Sequence, residues 1–191
     1  MSRPVHNFTT ATLDWLPYIR PVRLEDATPE QMDAMKVTPS NRKISDYVLT
    51  LAHDPESLAV RSPLFNAIMY GRDGLSRAGR EMGAIATSIH NHCIYCTSVH
   101  AARFLQMTGR EDLIQEIFAE GEEAALDDYW QPVFDFALKL TRTPGEISPT
   151  DIEILRTGGL TDLEIFDLVC SVAIFGWANR LMHTLGEAIT P

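Results

Sequence analysis

The chain has 191 residues, 45% of them hydrophobic and 22% charged, a length that suits one domain with a real core. A formal net charge of −10, with no run of Lys or Arg, excludes a nucleic-acid binder, which must neutralise phosphates. No stretch reads as apolar for the about 20 residues that span a bilayer, and Met1 to Asn7 lack the apolar core of a secretory leader; the expectation is a cytoplasmic protein with no membrane partner.

Residues 1–27 have no clear period and contain three prolines, which reads as an extended arm wrapping the body or a neighbour. Thr28-Pro29-Glu30-Gln31 combines an N-cap, a proline at the first helical position and a glutamine three residues on, predicting a short helix that ends before Pro39. Ile44, Tyr47, Val48 and Leu51 recur at helical spacing, and Asp54-Pro55 opens a further helix that bends at Ser62-Pro63 and stops at Gly71 and Gly74. Ser76 caps a helix from about Arg77 to His90, with Met82, Ile85, Ala86 and Ile89 facing inward. Asn91-His92 reads as a break, and the next helix runs from about Cys93 to Met107 before Gly109. Helical patterns resume over 110–118 and 127–141. Ser148-Pro149-Thr150-Asp151 opens a short helix closed by Gly158-Gly159, and Thr161-Asp162-Leu163-Glu164 is a capping box for a long last helix to about Leu185. No alternating strand pattern occurs, so the fold class is all-α, one domain over 1–191 with a helical hairpin at 76–107. Glu81, Ser88 and His100 echo Glu164, Ser171 and His183 at a constant offset, which suggests internal duplication of the hairpin unit.

The chemistry concentrates in His90-Asn91-His92-Cys93-Ile94-Tyr95-Cys96-Thr97-Ser98-Val99-His100. An odd cysteine count with two thiols this close favours redox or metal chemistry over a disulfide framework. On a helix, positions 93, 96 and 100 fall within about 60° of arc, so both thiols and the imidazole share a face. At a helix start the free amides favour thiolate, the species that attacks a peroxide oxygen. A second thiol then converts the resulting sulfenic acid to a disulfide, and His100 is placed to hold the proton. One unbroken helix would separate Glu81 from Cys93 by about 18 Å. A reversal at Asn91-His92 instead sets Glu81 beside His100, giving a Glu81–His100–Cys96 relay.

Glu81, eleven intervening residues, then Cys93-x-x-Cys96-x-x-x-His100 resembles the active-site motif of the alkyl hydroperoxidase D (AhpD-like) and carboxymuconolactone decarboxylase superfamily. Cys-x-Tyr-Cys and the later Asn179-Arg180 are similar to its peroxidase-related branch. The resemblance implies an AhpD-like helical bundle and reduction of hydrogen peroxide or organic hydroperoxides, with no metal or organic cofactor. It implies Cys96 as the peroxide-reactive thiol, Cys93 as its resolving partner, and Glu81 and His100 as the relay. It also implies a homo-oligomer and recycling by a dithiol reductant or reductant protein, a dihydrolipoyl carrier being one analogue. The helix-dipole argument favours Cys93 as the thiolate, whereas the resemblance, followed here, favours Cys96. Tyr95 stands where the best-known members carry a histidine, and roughly 90 residues follow a motif that in those members lies in the second half. The decarboxylase branch lacks the cysteine pair, which counts against lactone decarboxylation.

Two other readings use the same residues. Cys93, Cys96 and His100 with His90 or His92 supply zinc ligands, which would make a non-catalytic zinc-stabilised module, although all four come from one short segment. A thiol–disulfide oxidoreductase acting on a protein partner uses the same pair. Thr97 excludes c-type haem attachment, which needs histidine there. Cys170, among Leu168, Val169, Val172 and Ala173, reads as an inert core thiol, and Trp15, Trp130 and Trp177 as core or interface.

Overall fold

The computed structural model describes residues 2–36 and 44–191. Among these, nine α-helices account for nearly all regular structure: α1 Pro29–Ala34, α2 Asp46–Leu51, α3 Pro55–Tyr70, α4 Arg77–His90, α5 Ile94–Thr108, α6 Glu111–Glu120, α7 Trp130–Arg142, α8 Pro149–Thr157 and α9 Asp162–Leu185. The helix starts follow the capping chemistry. Thr28 with Gln31 and Thr161 with Glu164 form capping boxes, and the Ser76 hydroxyl accepts from the Gly79 amide at 3.1 Å. α3 continues through Pro63. The expected stop of the first helix before Pro39 lies outside the described residues.

α4 is the central helix, packed against α5, α7 and α9. The inward stripe expected for it is too narrow, because every residue from Gly79 to Ile89 is buried. Close approach to α9 explains part of this: a Cβ added at Gly83 would press on Leu168 and on Ser171. Several polar residues of α4 find partners inside the core. The Thr87 hydroxyl donates to the Gly83 carbonyl, and Arg80 pairs with Asp167 of α9 at 2.6 Å while donating to the Gly71 and Asp73 carbonyls.

Three expectations are corrected. Two short strands exist, β1 Asp14–Pro17 and β2 Gly186–Ile189, paired antiparallel with Trp15 opposite Ala188. They fasten the arm to the end of its own chain, and four-residue strands are too short to carry a period in sequence. Duplication of the hairpin unit does not hold either: 76–105 is two helices with a turn, whereas 161–185 is one continuous helix. Finally, α9 is long and apolar enough to cross a membrane by length and composition alone, with mean hydropathy 1.4. Nine of its side chains are instead buried within this structure, where it packs on α3, α4 and α7.

Candidate active site

The α4–α5 hairpin builds the site. The helix α4 closes at Asn91, and His92 takes the left-handed conformation at φ 53°, which reverses the chain in two residues. The Cys93 amide donates to the Ser88 carbonyl at 2.9 Å, and Cys93 itself is the N-cap of α5, its carbonyl accepting from the Thr97 amide. The helices therefore run back along each other, and Glu81 meets His100 as the turn predicts. His100 Nδ1 donates to Glu81 Oε2 within a fully buried environment. A carboxylate only accepts, so the proton sits on Nδ1 and Nε2 is left to exchange protons. The other carboxylate oxygen accepts from Arg77 Nε at 2.6 Å. Burial pushes the Glu81 carboxyl up, but His100 and Arg77 more than offset it and hold the group below its ordinary value. His100 also meets the Phe175 ring edge to face, with centroids 4.4 Å apart.

The two sulfurs lie 2.6 Å apart, and both cysteines are buried. A covalent S–S bond of about 2.05 Å closes that gap with little movement. Burial pushes the Cys96 thiol well above its ordinary value, and Cys93 adds to the push; a hydrogen bond from Asn179 opposes them. The expectation that the helix start lowers the thiol pKa is thus not met at Cys96. Asn179, buried in α9, also donates to the Ser88 hydroxyl and accepts from the Asn91 side chain, both at 3.1 Å. It ties the hairpin turn to α9. Its signal in the sequence is an amide within an otherwise apolar stretch of α9.

The thiols belong to a small core with Trp15, Tyr47 and Met182. Trp15 Nε1 donates to the Met182 carbonyl, and its ring stands edge-on to Tyr47 at 5.5 Å. The arm is therefore part of the site, a role its irregular sequence does not disclose. The two cysteines face different cavities. One, of about 330 Å³, is lined by Cys96 and His100 together with Tyr47, Arg61, Phe65 and Arg103. The other, of about 340 Å³, is lined by Cys93 with His6, Trp15, His92 and His183. No hydrogen bond joins His100 to Cys96 among the described residues. The expected relay therefore reaches Cys96 only across the shared cavity.

The zinc reading loses its ligand set. His90 is engaged by Glu122 at 2.9 Å, and His92 stacks on Phe8. No cluster of three His, Cys, Asp or Glu side chains suited to a metal exists among the described residues. Cys170 is half-buried beside an apolar groove between α3 and α9 rather than in the core. Trp15 and Trp130 are core residues, while Trp177 is 40% exposed.

The helical arrangement around a Cys-x-x-Cys hairpin defines an AhpD-like fold, and comparison with solved structures agrees. An alkylhydroperoxidase AhpD core, an uncharacterized peroxidase-related protein from Ralstonia eutropha JMP134, superposes with TM-score 0.78 and 26% identity, covering 89% of this chain and 90% of that one. A second uncharacterized peroxidase-related protein, from Silicibacter sp. TM1040, gives TM-score 0.68 and 28% identity over 94% of this chain and 92% of that one. The debrominase Bmp8 shares the fold alone, at 16% identity and TM-score 0.70, with 87% of this chain and 89% of that one covered. The model of the carboxymuconolactone decarboxylase family matches residues 55–141, from α3 into α7 and across the whole hairpin. No curated protein matches significantly. The chain is thus similar to the carboxymuconolactone decarboxylase family over its central helices and to AhpD-like, peroxidase-related structures over most of its length.

Proposed function

We propose that the protein is a thiol peroxidase that reduces hydroperoxides through Cys96 and Cys93. The observation that carries this reading is the pair of touching thiols whose Cys96 member shares a cavity with a carboxylate-supported imidazole. As a hydroperoxide enters, the Cys96 proton passes to His100 Nε2, and the thiolate attacks the distal peroxide oxygen. The O–O bond breaks, His100 returns the proton to the departing alkoxide, and Cys96 becomes a sulfenic acid. The Cys93 thiol then attacks that sulfur, expelling the oxygen as water and closing the disulfide. Glu81 supports the transient imidazolium, and Arg77 holds Glu81 in place.

An external dithiol supplies the two electrons that reopen the disulfide. Attack on Cys93 through its own cavity releases Cys96 as thiolate, which takes up the proton given by the attacking thiol, and the second thiol of the reductant clears the mixed disulfide. Assembly into a homo-oligomer belongs to the same reading. Exposed apolar side chains on α3 and α9, among them Val60, Leu64, Phe166 and Trp177, supply a surface for it.

The test is a free-thiol titration of metal-free protein before and after one equivalent of an organic hydroperoxide. The expected result is rapid loss of two of the three thiols, restored by a dithiol. Peroxide reduction that survives intact in Cys96→Ser would refute the assignment.

A further inference from the structure

The cavity beside Cys96 holds positive charge that the redox steps do not use. Arg61 of α3 lies half-buried with its guanidinium carbon 4.4 Å from the Phe65 ring centroid. Among the described residues it has no ion-pair partner, and its Nε makes no hydrogen bond. The hydroxyls of Tyr47 and Ser62, on side chains only 9% and 5% exposed, line the same cavity and also lack partners. Arg103 of α5 adds a second guanidinium to the wall, likewise without an ion pair among the described residues. Among the described residues no carboxylate lines the cavity. Glu81 is held by His100 and Arg77, while Asp14 and Asp46 act on Tyr95 from outside the wall.

Buried donors left open in this way are matched by a ligand that accepts. A carboxylate is the fitting acceptor, because it takes two parallel N–H bonds from a guanidinium and a further O–H bond. Phe65 and Phe175 offer an apolar surface between the cation and the reactive pair, and about 330 Å³ suits a small organic molecule.

We propose that the substrate is an organic hydroperoxide bearing a carboxylate, held by Arg61 and the Tyr47 hydroxyl with its peroxide group at Cys96 and His100. This rests on the peroxidase reading for the reaction but not for the binding, and the two are separable.

The full-length protein is tested in two arms. Calorimetry measures binding of the unreactive alcohol of para-carboxylated cumene hydroperoxide, and of the corresponding amide. Kinetics compares para-carboxylated cumene hydroperoxide with cumene hydroperoxide itself. The native protein is expected to bind the carboxylate about tenfold or more tightly than the amide, and to favour the carboxylated peroxide by a similar factor in kcat/KM. Arg61→Gln is expected to bring both ratios close to one, and Arg61→Lys to give intermediate values, with helix content unchanged by circular dichroism. Equal binding of carboxylate and amide by the native protein, or unchanged ratios in Arg61→Gln, would overturn the proposal. Carboxylate binding that depends on Arg61, with neither peroxide reduced, would uphold the anion site and remove the peroxidase reading instead.

Discussion

Replacing Glu81 by Gln removes one negative charge from the centre of α4 while leaving the side chain's size almost unchanged. In the native protein this carboxylate is fully buried and accepts from the His100 imidazole and the cationic Arg77. The amide of Glu81→Gln presents a donor where one of them needs an acceptor. Breaking a buried ion pair on one side costs about 3–5 kcal/mol, with Arg77, at 24% exposure, recovering part of its loss in water. The imidazolium of His100 loses its support, so the second-order rate of peroxide reduction is expected to fall roughly a hundredfold. Stability changes with pH in a defined sense. The Glu81 carboxyl is held below its ordinary 4.5, so its contribution is present above that value and is lost as pH falls through the lower folded value. Acid titration of stability should therefore be shallower in Glu81→Gln than in the native protein. The rate is read by stopped-flow thiol loss, and stability by urea denaturation at several pH values. Adding His100→Gln to Glu81→Gln should cost little more than either change alone, because the two act as one unit. A folded Glu81→Gln with the native rate and native acid slope would refute the relay.

Other consequences are open to measurement. Cys93→Ser should still consume one peroxide per chain but accumulate sulfenic acid on Cys96, detectable by mass spectrometry after dimedone trapping; an unmodified Cys96 would contradict the order of events. Because Cys96 is pushed up by burial, its alkylation by iodoacetamide should climb with pH only above the ordinary thiol value of about 8.5; a rate already saturated at neutral pH would exclude that state. Trp15→Ala should destabilise by about 3–5 kcal/mol and move the onset of that alkylation to lower pH, since Trp15 covers the thiol core. Gly74 has φ 74°, and an added Cβ would collide with the Asp167 carboxylate that pairs with Arg80. Gly74→Ala is therefore expected to cost about 2–4 kcal/mol, read as a lower urea midpoint.

What the sequence disclosed was local. Caps at Ser76 and Thr161 are written in side chains next to the helices they start, so the bounds of α4 and α9 are those expected. The break at Asn91-His92 was legible because two polar residues interrupt apolar periodicity, and the Glu81–His100 pair followed once the chain reversed there. What stayed hidden was non-local. Asp14–Pro17 pairs with Gly186–Ile189 from the opposite end of the chain, and nothing in either tetrapeptide names the other. Arg61 and Tyr47 come from two helices and meet Cys96 only through the packing of α2, α3 and α5, so no spacing rule gathers them. The raised Cys96 pKa belongs to the same class: the helix start is local, while the burial that outweighs it comes from α9, α2 and the arm.

That burial bears on selectivity. A thiol held protonated by its surroundings is a poor nucleophile toward any electrophile that merely collides with the surface. On the proposed reading it becomes reactive when a bound molecule spans Cys96 and His100, since no direct hydrogen bond among the described residues lets His100 take the proton beforehand. Binding and activation are then the same event, and a group that anchors the substrate at a distance raises the rate of the chemical step as well as the affinity. The arrangement also gives the two half-reactions separate approaches. On that reading the oxidant meets Cys96 in a cavity with two guanidinium groups, while the reductant meets Cys93 in one bordered by the arm and β2. Attack on Cys93 makes Cys96 the leaving sulfur, so each turnover frees the buried sulfur inside the cavity where the next peroxide binds. Attack from the other side would release Cys93 instead and leave the reductant occupying the peroxide's place.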